Sequence, residues 1–154
     1  MGTSSSAPGE APWGALRRQR AELRESMSAL ELALAAPVSG GQARWSERVH
    51  VALVELSADV RGHIDFTEGS EGLYVEILAT APRLSEAVAH LTQEHVEITG
   101  LLDDLLASTL PPASVDVVEV RGGGNSLLGR LVSHRQRGSD LVYEAFECDI
   151  GGET

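Results

Sequence analysis

The sequence predicts an all-α protein, an antiparallel four-helix bundle. Three observations carry this. Apolar residues recur at three- and four-residue steps through four long segments. Those segments are rich in Ala, Leu, Glu and Arg, which favour helix. Between them lie short runs containing Pro or Gly, which stop helices. A chain of 154 residues holds four helices of about five to seven turns with their loops and little else.

Residues 1–12 are small, polar and interrupted by Pro and Gly, and are expected to be a disordered tail preceding a bundle domain over residues 13–152. From Trp13 the inner stripe runs Leu16, Leu23, Met27, Leu30 and Leu34, interrupted by Arg20, until Pro37, Gly40 and Gly41 stop it. The second long helix is expected over residues 42–66, with the stripe Trp45, Val49, Leu53, Leu56 and Val60 followed by His63. Gly69 and Gly72 should break the chain, and a short helical piece over residues 73–80 follows. Pro82 suits the opening of the third long helix, whose stripe is Leu84, Val88, Leu91, His95, Ile98, Leu102 and Leu105.

Pro111 and Pro112 end that helix. Residues 115–120 are β-branched enough for a strand, but one strand would have no partner, so helix is favoured. Gly122, Gly123 and Gly124 are expected to interrupt it. The pattern then resumes with Leu127, Leu131, His134, Gly138, Leu141 and Ala145.

Composition narrows the function. With 12 basic against 23 acidic residues and a net charge of -11, the chain repels phosphate, so a nucleic-acid partner is not expected. One cysteine makes no internal disulfide. No apolar run is long enough to span a membrane, and the first residues lack the basic and apolar regions of a signal peptide. A cytoplasmic protein is the expectation. Cys148 lies near a helix C-terminus, which disfavours thiolate, and the three glycines precede no phosphate-loop lysine.

The informative feature is the placement of three of the five histidines. His63 lies three residues after Val60, His95 four after Leu91, and His134 three after Leu131, so each shares the inward face of its helix. Buried imidazoles need partners. A shared metal ion or a hydrogen-bonded polar cluster would satisfy all three.

Glu68, five residues beyond His63 and about 140° round a regular helix, is the candidate oxygen ligand, with a solvated charge as the alternative. Glu71 and Asp140 are weaker candidates. Imidazole with a carboxylate oxygen suits iron, zinc or manganese. Glu47 and His50 reproduce the E-x-x-H spacing of diiron bundles, but in one copy and with Glu47 off the stripe. His90 is expected to be exposed. Trp45, Phe66, Tyr74, Tyr143 and Phe146 are expected to pack the core and loops, with Arg135 and Arg137 pairing with surface acids.

Two segments, HIDFTEGSEGLYVEILATAPRLSEAVAHLTQEH ending at His95 and HRQRGSDLVYEAFECDIGGE from His134, carry a family likeness. Over residues 17–152 the chain resembles the hemerythrin-like, histidine–histidine–glutamate cation-binding bundles, in particular a short branch common in actinobacteria. The family's fourth helix has a histidine followed five residues later by an aspartate. His134 matches the first, Ser139 stands at the second, and Asp140 is one residue late. The glutamate usually four residues after the second-helix histidine is Thr67 here, with Glu68 one further. Thr99 stands where the third helix usually has a second histidine, and Met27 or a neighbour where the first helix has one.

The resemblance implies a metal site of His63, Glu68, His95 and His134, with iron as the ion, in one copy, two or none. It implies no catalytic residue. The expected role is oxygen, nitric-oxide or iron sensing or storage, with a small diatomic ligand as partner and homodimer formation left open. The alternative is a non-catalytic bundle that has lost its metal and keeps a buried histidine cluster.

Overall fold

The computed structural model describes residues 11–111 and 114–148, and these form four long helices and one short one. Helix α1 is Ala11–Ala35, α2 is Gln42–Glu68, α3 is Leu73–Thr80, α4 is Ser85–Thr109 and α5 is Val117–Val142. A 3-10 turn at Pro82–Leu84 leads into α4, and a π-helical turn at Tyr143–Cys148 extends α5. The tail expected before the bundle lies outside the described residues up to position 10, and so does everything from residue 149.

Helices α1, α2, α4 and α5 pack in a closed ring, each against the next in that order and α5 against α1. The stripes read from the sequence fill its centre: Leu23, Leu30, Leu34, Val49, Leu53, Leu56, Ile98, Leu102, Leu127 and Leu131 are all buried. Met27 belongs to this apolar cluster as well. A second cluster lies under α3, where Tyr74, Ile77, Leu84, Val88 and Leu91 meet Leu141 and Ala145.

The turn between α2 and α3 depends on glycine. A Cβ at Gly72 would lie 2.7 Å from the carbonyl oxygen of Thr67, and one at Gly69 would lie 2.6 Å from that of Asp65. No side chain fits either place without moving backbone. The Gly69 N–H closes α2 on Asp65 at 3.0 Å.

The expected interruption at Gly122, Gly123 and Gly124 is corrected by the structure: α5 runs unbroken from Val117 to Val142, its start capped by the Asp116 carboxylate on the Glu119 N–H. Two of the glycines serve packing instead. A Cβ at Gly124 would sit 2.5 Å from Leu34 Cδ1 on α1, and one at Gly123 would sit 3.1 Å from Leu105 Cδ2 on α4. Their missing side chains let α5 approach both neighbours. Arg121 adds a lock at the same level: its Nε donates to the Leu34 carbonyl and its Nη2 to that of Ala36, both at 2.9 Å. It thereby satisfies carbonyls that the end of α1 leaves open. Tyr143, expected to pack the core or a loop, is exposed.

Candidate metal centre

The three histidines form a polar layer between the two apolar clusters. On α4, Leu91 belongs to the cluster under α3 and Ile98 to the main core, with His95 between them; on α5, Leu141 and Leu131 bracket His134 in the same way. His95 and His134 are buried and His63 is partly so. The rings lie close, with centroids 4.7 Å apart for His95 and His134, 5.0 Å for His63 and His95, and 5.3 Å for His63 and His134.

Their nitrogens converge. His134 Nε2 is 3.0 Å from His95 Nε2 and 3.2 Å from His63 Nε2. One ligand nitrogen from each residue lies within 4.8 Å of the other two. Adjacent imidazole ligands on an ion with bonds of about 2.0–2.1 Å stand roughly 3.0–3.4 Å apart. Three buried or partly buried histidines so arranged could hold a metal ion.

Carboxylates set the tautomers. Glu94 Oε1 lies 2.8 Å from His134 Nδ1, and Glu68 Oε2 is hydrogen-bonded to His95 Nδ1. A carboxylate only accepts, so each Nδ1 carries the hydrogen, and in the neutral ring Nε2 presents a bare lone pair. His63 can turn an Nε2–H toward His134, but His95 and His134 then face each other at 3.0 Å with no hydrogen between them. Burial holds His134 below the usual histidine range, with the Glu94 hydrogen bond opposing it. Burial pushes His63 down to about 3, with smaller contributions from His95, His134, Arg20 and Arg135. Both rings are therefore neutral at physiological pH, the state a metal ligand requires.

The supporting groups extend outward. Burial opposes ionisation of Glu94, but hydrogen bonds from Arg137 and His134 outweigh it and hold its carboxyl low. The Tyr74 ring stacks on His95, 9° from parallel with centroids 6.0 Å apart. Burial keeps its phenol protonated, and its hydroxyl meets Thr67. The Thr67 hydroxyl is otherwise committed to the helix backbone, donating to the carbonyls of His63 and Ile64 at 2.9 and 3.2 Å.

A small cavity opens beside the cluster, with room of about 30 Å3 for water centres, and reaches His63, His134, Tyr74, Gln19, Arg20 and Arg135. Burial lowers both arginines from their ordinary values, and the buried Arg135 Nε has no hydrogen-bond partner.

The remaining candidates lie elsewhere. Glu68 sits on the Nδ1 side of His95, away from the converging Nε2 atoms. Glu71 and Thr99 are exposed, and Asp140 is exposed and takes a hydrogen bond from Gln136. Glu47 is exposed, while His50 Nδ1 contacts the Thr109 hydroxyl at 2.9 Å, so these two form no metal group. His90 is exposed.

Sequence reasoning missed Glu94 and Arg20; it read Tyr74 as packing, which holds, and Arg135 and Arg137 as pairing with surface acids, which holds for Arg137 with Glu94 but for no described acid with Arg135. Both missed residues had a signal: Glu94 stands three residues after Leu91 and four before Ile98, at the edge of the inner stripe, and Arg20 occupies an inner position between Leu16 and Leu23.

No family model matches the chain, and no curated protein or solved structure is significantly similar to it. No helix among the described residues is long and apolar enough to cross a membrane.

Proposed function

We propose that the bundle binds one divalent first-row metal ion through Nε2 of His63, His95 and His134, and that iron(II) is its physiological ion. The observation that carries this is the His95–His134 pair: two Nε2 atoms at 3.0 Å, each ring oriented by a carboxylate on its opposite nitrogen. A cation between them removes the repulsion, and carboxylate-oriented imidazoles are the usual support of metal-bound histidine. Glu68 and Glu94 orient the rings and raise their basicity. The three nitrogens leave coordination positions for ligands from outside, and the ion supplies there Lewis acidity and, if iron, a redox couple.

This reading sets the chain beside the hemerythrin-like bundles as a one-ion variant. Thr67 and Ser139 stand where that family carries bridging carboxylates, so a second ion has no bridge. A sensing or storage role suits such a site better than turnover, since among the described residues no general acid or base stands at the converging nitrogens. The test is metal content of untagged protein after anaerobic ferrous loading, in wild type and His95→Leu. One iron per chain, lost in the variant, is the expected result; equal metal in both would overturn the reading.

A second reading is favoured by the direct nitrogen contacts at 3.0 and 3.2 Å, which also suit a shared proton. In it the ancestral site has become a buried polar cluster. Loaded wild-type protein would then carry no iron, and His95→Leu would be near neutral in stability.

A further inference from the structure

We propose that Arg20 and Arg135 hold a small planar oxyanion, of the formate or nitrite class, whose oxygen completes the coordination of the metal ion at His63, His95 and His134. This rests on the metal reading above and names its external ligand.

The chain carries nearly two acidic residues for each basic one, yet no described carboxylate forms an ion pair with Arg20 or Arg135. Both lie partly buried beside the cluster, on α1 and α5. Arg20 occupies an inner position of an otherwise apolar stripe, where a charge is costly unless something compensates it. The Arg135 Nε is buried and has no partner in the protein. By contrast Arg137, two residues on, pairs with Glu94. Of the three half-buried arginines among the described residues, Arg121 is hydrogen-bonded to the Leu34 and Ala36 carbonyls, and the two that pair with no carboxylate or carbonyl, Arg20 and Arg135, line the cavity.

A divalent ion would sharpen the imbalance. Glu68 and Glu94 are engaged on the far nitrogens of the rings, and Glu94 is shared with Arg137. The ion and the two arginines would then face one another across the cavity, which only an anion can relieve. A guanidinium fork matches the two oxygens of a planar carboxylate or nitrite.

Size selects the ligand. Water-centre room of about 30 Å3 admits roughly two waters, which matches a ligand of about three heavy atoms. A tetrahedral sulfate or phosphate is too large. A neutral diatomic would leave both arginines uncompensated.

Cobalt(II) substitution reads the metal's coordination directly. Cobalt-loaded protein would be titrated with sodium formate, sodium nitrite and sodium sulfate, following the visible ligand-field bands. Formate and nitrite should shift the bands saturably and sulfate should not. Arg135→Met and Arg20→Met should each weaken formate binding by about tenfold or more without lowering cobalt affinity, with Arg135→Lys intermediate. Helicity by circular dichroism checks the fold of each variant. If cobalt binds but formate leaves the bands unmoved, or if both Met variants bind formate as wild type does, this proposal is overturned and the metal reading stands. If cobalt does not bind, the metal reading falls and this proposal falls with it.

Discussion

Glu94 on α4 and His134 on α5 meet across the helix interface at 2.8 Å, carboxylate oxygen to Nδ1, while the other oxygen of Glu94 pairs with Arg137. The contact fixes the ring in the tautomer whose Nε2 points at His95 and His63. Removing such a partner costs a metal site about 10–100-fold in affinity. Glu94→Ala should therefore weaken metal binding by about that factor, with Glu94→Gln between it and wild type. Competition with a chromophoric chelator measures it. Unchanged affinity in Glu94→Ala would show that the tautomer is not set here.

The depressed histidines make the metal-free protein sensitive to acid. His63 sits at about 3 in the folded protein against 6.5 ordinarily, and His134 moves in the same direction. Between those values the unfolded chain binds a proton that the folded one does not, so falling pH favours unfolding. The stabilisation is whole above about pH 6.5 and is lost progressively toward pH 3, amounting to on the order of 5 kcal/mol. Urea midpoints of apoprotein should be level above about pH 7 and fall between about 6.5 and 5, before most carboxylates titrate. His63→Leu should flatten that fall; an equal slope in the variant would refute the assignment.

Gly124 and Gly122 are neighbours but not equivalents. A methyl group at Gly124 would overlap Leu34 Cδ1, in a side chain only 2% exposed, whereas one at Gly122 meets nothing within 4 Å. Gly124→Ala should destabilise by about 1–3 kcal/mol through overpacking. Gly122→Ala should stabilise by roughly 0.5–1 kcal/mol by reducing the freedom of the unfolded helix segment. Paired urea denaturations decide it, and two effects of the same sign would contradict the packing role.

These glycines also show where sequence reading stops. The all-α class followed from helical period, composition and the Pro and Gly stops, and the boundaries of α3 from Gly72 and Pro82; the inward faces of His63, His95 and His134 followed from period alone, because a period states which side of its own helix a residue occupies. Glycine propensity argued for a break at Gly122–Gly124, but close contact with Leu34 and Leu105 outweighed it. That contact depends on how far α5 slides along α1 and α4, which no single helix encodes. The same unknown hid Glu94 and Arg20. Each was legible as a charge at or beside an inner stripe, but what it faces, His134 for Glu94 and the cavity beside His63 for Arg20, lies across a helix interface. Glu68 was read by angle as a flank residue able to reach inward; the structure places it on the outer nitrogen of His95.

Metal linkage gives the last prediction, and it separates binding from mere polarity of the core. An ion that binds only the folded bundle adds about 2.7 kcal/mol at a free concentration one hundred times its dissociation constant. For a domain of this size each kcal/mol moves the thermal midpoint by about 2–4 °C, so iron(II) or zinc should raise it by roughly 5–10 °C, reversibly with chelator. His134→Ala removes the nitrogen that faces both others and should abolish the shift. His50→Ala, whose imidazole contacts Thr109 instead, should keep it whole. An equal shift in both variants would place the ion somewhere other than the histidine layer, and no shift in wild type would favour the shared-proton cluster.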